Sequence, residues 1–234
     1  MYPILFSIGK VNFYSYGLMA SLAFFAGVIL IVNLSRKSKL YYPELFDHLL
    51  LLFICAIVGA RISYFITYIS QFSHWYEIFY LWNGGMISYG GMAGVIIASY
   101  YIFKKNRFKW FDIISVSFLI GMFFWRIGCF LSGDHLQVAY NGFFSISGEF
   151  PAILIESILG LIGFILFYFL IYPKIKIKAG LTFFWVLFYY GLIRIFVDNF
   201  RIDPTLLELR TGQIVGIGLV VAGLIGIMML RKKK

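Results

Sequence analysis

Seven stretches of this chain are each long and apolar enough to cross a lipid bilayer, and that repetition restricts its fold more than any other feature. They cover residues 13–34, 46–69, 85–103, 110–131, 151–172, 181–200 and 212–230. A spanning helix needs about 20 mostly apolar residues. The composition agrees, with 62% hydrophobic and 13% charged residues and a mean hydropathy of +0.89, whereas a soluble domain is nearer half apolar and a quarter charged. The aromatic share of 21% suits lipid-facing helices and interfacial belts. The expected fold is therefore an all-α integral membrane protein with seven transmembrane helices, forming a single polytopic domain over residues 1–234. The third stretch is the least regular, because Gly84, Gly85, Gly90, Gly91 and Gly94 crowd its start, and a broken or re-entrant beginning is expected there.

The formal charge of +10 would suit a nucleic-acid partner if the basic residues were spread over one soluble face. They are not. Arg36, Lys37 and Lys39 follow the first span, and Lys104, Lys105, Arg107 and Lys109 separate the third from the fourth. Lys174, Lys176 and Lys178 separate the fifth from the sixth, and Arg231 to Lys234 end the chain. These 14 of the 20 basic residues fall on one side of a seven-span arrangement. By the positive-inside rule that side is cytoplasmic and the N-terminus lies outside. No nucleic-acid partner is expected. Cys55 and Cys129 both lie in apolar runs without metal-ligand spacing, so neither a disulfide, a metal nor a cofactor is expected. Residues Met1 to Gly9 lack the basic start and cleavage site of a removable signal peptide.

The other six basic residues are Lys10, Arg61, Arg126, Arg194, Arg201 and Arg210. All fall in the outer half of the membrane or beyond it. Arg126 sits inside Trp125-Arg126-Ile127-Gly128-Cys129-Phe130-Leu131-Ser132-Gly133-Asp134-His135, at the end of an apolar run. At 1.5 Å per residue it lies about 25 Å from the cytoplasmic Lys109, and Arg194 lies about 24 Å from Lys178. The same count puts Arg61 and Tyr89 a little over 20 Å up, and Glu156, Asp198 and Tyr16 about 27–30 Å up. Polar groups from six spans thus share one layer near the outer leaflet.

An ionisable group at that depth costs at least a few kcal/mol and needs a partner or a role. Structural pairing is one account: Arg61 with Glu156, Arg194 with Asp198 one turn away, or headgroup snorkelling. The alternative is an anion, because the arginines outnumber what pairing requires. At this depth the available anion is a phospholipid phosphate, which a planar guanidinium grips bidentately. The glycines of the third span fit close helix packing. Cys129 fits a small apolar residue, Tyr16 and Tyr89 fit belt aromatics, and Lys10, His48 and His74 fit solvated or interfacial positions. His135 is the histidine beside the layer and a candidate for proton transfer.

The motifs in this layer resemble those of the prolipoprotein diacylglyceryl transferase family. Arg126-Ile127-Gly128-Cys129-Phe130-x-x-Gly133-Asp134 is similar to that family's Arg-x-Gly-Asn-Phe-x-Asn-Gly-Glu signature. Pro3-x-x-Phe6-x-Ile8-Gly9 with Tyr16-Gly17, then Gly59-Ala60-Arg61-Ile62, Gly84-Gly85-Met86-x-x-Tyr89-Gly90-Gly91 and Phe150-Pro151-x-x-x-x-Glu156, follow the family pattern in order. Tyr190-Gly191-x-x-Arg194-x-x-x-Asp198-x-x-Arg201 and Gly212-Gln213 complete it. The resemblance covers nearly the whole chain. It implies a bacterial cytoplasmic-membrane, multi-pass enzyme that moves a diacylglyceryl group from phosphatidylglycerol to the lipobox cysteine thiol of a prolipoprotein. The product is a thioether and glycerol phosphate leaves. Implied partners are phosphatidylglycerol and the prolipoprotein signal-peptide region. Arg126 and Arg194 correspond to the family's essential arginines, with Tyr16, Arg61, Asp134, Glu156, Asp198 and Arg201 expected beside the substrate.

The chain also departs from the family. Tyr89 stands where the family has a proposed histidine base, Cys129 where it has Asn, Asp134 where it has Glu, and Gln137 where it has Gly. A phenol has an ordinary pKa near 10, so Tyr89 needs a cation to act as a base at neutral pH, and His135 is the alternative. Lipid binding is expected to persist while the acceptor side changes. A paralogue serving another acceptor and a non-catalytic phospholipid-binding or transport protein are the competing readings. Against transport, the spans show no clear inverted repeat.

Overall fold

The computed structural model describes residues 2–9, 11–80, 85–133, 137–143, 145–146, 148–171, 178–202, 205–206 and 209–232. Seven α-helices dominate it: α1 (Ser15–Lys37), α2 (Leu45–Thr67), α3 (Ser88–Ile102), α4 (Arg107–Ser132), α5 (Ala152–Ile165), α6 (Leu181–Val197) and α7 (Thr211–Lys232). A π-helical turn, Leu166–Ile171, extends α5, and a 3-10 turn, Asp198–Phe200, extends α6. The described residues also hold two 3-10 turns, Ile69–Gln71 and Trp75–Phe79, and two antiparallel hairpins, β1 (Ile4–Ile8) with β2 (Val11–Tyr14) and β3 (Thr205–Leu206) with β4 (Leu209–Arg210).

Among the described residues six helical segments, 18 to 26 residues long, are apolar and long enough to cross a membrane. This is a multi-pass membrane protein. The third predicted span differs: α3 has 15 residues, about 22 Å of helix. Its start is displaced because the preceding residues are held extended. Ile87, at φ −103° and ψ 117°, stands at the N-cap position, and its amide donates to the Ala60 carbonyl. Gly85 takes φ +78° against the Tyr64 ring, where an L side chain would be both strained and blocked.

The chain falls into two compact units, one of Met1–Leu34 with Asp112–Lys234 and one of Ser35–Phe111. The smaller unit is an α2–α3 pair in backbone contact. A methyl group added at Gly90 would overlap Ser63 and the Gly59 carbonyl, and one at Gly94 would overlap the Cys55 carbonyl. Such small residues let membrane helices approach closely, where packing rather than hydrophobic burial drives association.

In the larger unit α6 and α7 meet the same way. A Cβ at Gly191 would lie 2.7 Å from the Gly216 carbonyl oxygen, and one at Gly223 2.8 Å from that of Phe184. Polar bonds fix α5 in place: Ser157 Oγ donates to the Phe123 carbonyl of α4 at 2.8 Å, and the Tyr189 hydroxyl of α6 donates to Leu159 at 2.7 Å. The β1–β2 hairpin is tied in at Tyr2, whose amide donates to Leu131 at the end of α4, 3.0 Å away. After α4 the chain returns to α6, with the Val138 amide donating to the Phe200 carbonyl at 3.1 Å and Phe150 stacking on Phe200.

Gly94→Leu should destabilise the protein by about 1–3 kcal/mol through overpacking. Gly27→Leu, at a position with nothing within 4 Å of its Cβ, should leave the thermal midpoint in detergent unchanged.

Candidate functional site

α5 carries Glu156 in its second turn, on the helix face that also holds Ile153, Ser157 and Gly160, all buried. Its carboxylate is fully buried and has three guanidinium neighbours from other elements. Arg126 of α4 places Nη2 2.8 Å from Oε1. Arg194 of α6 places Nη1 3.2 Å from Oε1 and 3.3 Å from Oε2. Arg201, just past α6, places Nη1 3.9 Å from Oε2. Arg194 also reaches Asp198 one turn on, its Nη2 2.8 Å from the carboxylate. The helical i, i+4 spacing puts Asp198 on the same face as Arg194, so one guanidinium bridges two acids.

The surroundings hold this cluster rigidly. A methyl group at Gly212 would overlap the Asp198 carboxylate and the Arg194 guanidinium, so the start of α7 closes over the pair only as glycine. Gln213 accepts the Arg210 amide at 3.0 Å and donates to the Asn199 side chain at 3.0 Å. Gln137 pairs with Arg201 as an isolated antiparallel bridge, and its Oε1 accepts the Ile153 amide in the first turn of α5 at 3.3 Å. The chain leaving α4 and the chain leaving α6 are thereby tied to the helix that carries Glu156.

Three guanidiniums meet two carboxylates here, so the described side chains of the cluster carry one surplus positive charge. A guanidinium has five N–H donors. Arg194 spreads its two terminal nitrogens over two acids, whereas Arg126 turns its Nη2 to Glu156. The arrangement can hold an anion in a dry setting, where charge interactions are much stronger than in water.

The family model of prolipoprotein diacylglyceryl transferase matches residues 3–229. The chain belongs to the prolipoprotein diacylglyceryl transferase family. It is 30% identical over 247 aligned positions to a protein of Wolbachia pipientis, covering 95% of this chain and 92% of that one. It is 28% identical over 253 positions to one of Streptococcus uberis, covering 99% and 96%. A protein of Finegoldia magna is 28% identical over 231 positions, covering 95% and 93%. All three are named phosphatidylglycerol–prolipoprotein diacylglyceryl transferase. This chain is a transferase of that family.

The family motifs map onto the structure unevenly. Arg126, Glu156, Arg194, Asp198 and Arg201 come together in the cluster just described. Tyr16 lies on α1 with its ring edge-on to Trp125 at 5.2 Å, and Gly128 of α4 faces its Cα, which puts it beside the turn that carries Arg126. Cys129 is buried one turn beyond Arg126. Tyr89 lies on α3 in the other unit, with its hydroxyl buried. Asp134 and His135 lie outside the described residues.

Arg61 belongs to the smaller unit, and its donors go to main-chain carbonyls. Nε donates to Ile78 at 2.8 Å, Nη1 to Gly85 at 3.0 Å, and Nη2 to Glu77 at 2.8 Å and Tyr80 at 3.0 Å. It gathers the connection from α2 to α3, including the 3-10 turn Trp75–Phe79. Two residues to which sequence reading gives no role also reach the cluster. Tyr190, four residues before Arg194 and so on its face, is buried within reach of the charges of Arg126, Arg194 and Glu156. Arg210 donates to the Asp198 main-chain carbonyl. The family motif and its spacing to Arg194 were the available signals for Tyr190, and Arg210 was marked only as one of the six basic residues off the cytoplasmic side.

Glu156→Ala should destabilise the protein by about 3–5 kcal/mol, because it leaves buried cations without their anion. Thermal unfolding in detergent should show a midpoint well below that of Arg201→Ala, whose contact with Glu156 is the longest of the three.

Proposed function

We propose that the protein transfers the diacylglyceryl group of phosphatidylglycerol to the thiol of a lipobox cysteine, with Arg126 and Arg194 acting on the phosphate. The observation that carries this is the surplus guanidinium charge around a fully buried Glu156, within a chain of the transferase family. The cysteine thiolate attacks the glyceryl carbon that bears the phosphate ester. A C–S bond forms, the C–O bond breaks, and the electron pair leaves with glycerol phosphate. Charge grows on the departing phosphate oxygen, and preorganised cations stabilise it without having to reorganise. Glu156 and Asp198 keep the arginines charged and aimed, while the excess cation matches the substrate's charge.

The thiol must lose its proton before it attacks. Tyr89, with a cation to lower its pKa, or His135 receives it. Asp134, Tyr16 and Arg201 border the substrate. Arg61, with its donors on four carbonyls, acts by shaping the α2–α3 connection. The basic segments favour a bacterial cytoplasmic membrane with the N-terminus outside, the C-terminus inside and the cluster near the outer leaflet, where a lipobox cysteine follows its signal helix. Tyr89 in place of the family histidine favours a narrower second reading, in which the same donor lipid serves a different acceptor.

Purified protein with phosphatidylglycerol and a lipobox peptide should release glycerol phosphate and lipidate the peptide. Lipid binding without turnover would instead mark a non-catalytic lipid-binding protein. Arg126→Ala should lose on the order of 10²–10³ in kcat, and Arg126→Lys should not restore it, because an ammonium cannot present two parallel donors. If Tyr89→Phe and His135→Ala both keep full activity, the base is neither of them, while the phosphate role of Arg126 stands.

A further inference from the structure

Helix α6 begins without a cap of its own. Gly180 stands at its N-cap position with φ +93° and offers no side chain, and no acidic residue lies in the first turn. The first amides of a helix have no intrahelical acceptor, and in an apolar setting they need one from elsewhere. Asp112 supplies it from α4. Its Oδ2 accepts the Gly180 amide at 2.7 Å and its Oδ1 accepts the Phe183 amide at 2.8 Å, with the Thr182 amide also facing it. The residue is buried, and a carboxylate there also opposes the positive end of the α6 dipole.

The position of this tie matters more than its chemistry. Asp112 is 14 residues before Arg126 on α4, and Gly180 is 14 residues before Arg194 on α6. Each interval is about 21 Å of helix. The helices run in the same direction and are joined at both ends of equal lengths: through Asp112 at one end and through Glu156 at the other. A slip of one residue in either helix would move its arginine about 1.5 Å along the axis and turn it about 100°. One of the two would then leave Glu156. A capping residue within α6 itself would satisfy the same amides without joining the helices.

We infer that Asp112 is a positioning residue that pins the register of α4 against α6, so that Arg126 and Arg194 meet at Glu156. This rests on the transfer reaction proposed above for its activity readout, and on the geometry alone for its structural one. The test uses the full chain in detergent or nanodiscs, with Asp112→Ala, Asp112→Asn and a control, Tyr189→Phe. The control removes a different interhelical bond, from Tyr189 to Leu159.

Per folded molecule, Asp112→Ala should lower kcat for glycerol phosphate release by about 10- to 100-fold, with the KM for phosphatidylglycerol changed less than about twofold, as expected for misplaced catalytic groups. Asp112→Asn, which keeps one accepting oxygen, should fall between Asp112→Ala and the wild type, and Tyr189→Phe should keep the wild-type kcat. An experimental structure of Asp112→Ala should show Arg126 Nη2 out of hydrogen-bond reach of Glu156. If that structure keeps the cluster unchanged, or kcat per folded molecule matches that of Tyr189→Phe, the pin is wrong. Should the Ala variant not fold, Asp112→Asn carries both measurements. If the wild type releases no glycerol phosphate, the reaction is wrong and the structural comparison still decides the pin.

Discussion

A fully buried carboxylate between three guanidiniums sets the terms for the larger unit of this protein. Removing an arginine from water carries an effective penalty of several kcal/mol even after relaxation, and an apolar helix offers nothing in return. Glu156 returns most of that penalty three times over, and Asp198 adds to it for Arg194. Those contacts require α4, α5 and α6 to approach at one level, and small or hydrogen-bonding residues along the seams permit it: Ser157 against Phe123, Gly160 against Leu119, Gly212 beneath Asp198. The acids are one fewer than the arginines they face. A third carboxylate would cancel the surplus positive charge of the described cluster.

Arg61 resolves the same desolvation problem differently. It shares the sequence signature of the others, an arginine deep in an apolar helix beside Gly59 and Ala60, yet its guanidinium is satisfied by four main-chain carbonyls within its own unit. Carbonyl acceptors occur at every residue and carry no residue-type signal, so counting along the helix could not name the partners of Arg61. The same bonds explain why the third apolar stretch starts late as a helix. Gly85 gives its carbonyl to Arg61 and Ile87 its amide to Ala60, and a backbone used that way is unavailable to a helical turn.

The apolar stretches were legible because the bilayer demands length and hydrophobicity, which composition alone can report. The position of each arginine along its own helix was legible because helical rise is constant. Arg194 with Asp198 was legible as well, being one turn apart on one helix. Contacts between helices were not. Glu156 as the hub and the Asp112 cap on α6 depend on rotation and register between helices, and a single sequence contains no measure of either. Gly212 lies between: its motif was recognisable, but the overlap a side chain would make with Asp198 is visible only once α7 is packed.

The substitutions that distinguish this chain from the family pattern fall in a particular relation to that network. Arg126, Glu156, Arg194, Asp198 and Arg201 constrain one another through shared charge, so changing any one strands a buried partner. Tyr89 and Cys129 bring neither a carboxylate nor a guanidinium to that balance of charge. A phenol can replace an imidazole on α3 without unbalancing buried charge, and a small thiol can replace an amide one turn beyond Arg126 inside a packed helix. Divergence is therefore cheap around the proposed acceptor and proton-transfer positions and expensive at the proposed phosphate positions. On that physical ground, a member of this family that took up a different acceptor would keep the arginine cluster and vary at the positions where this chain does.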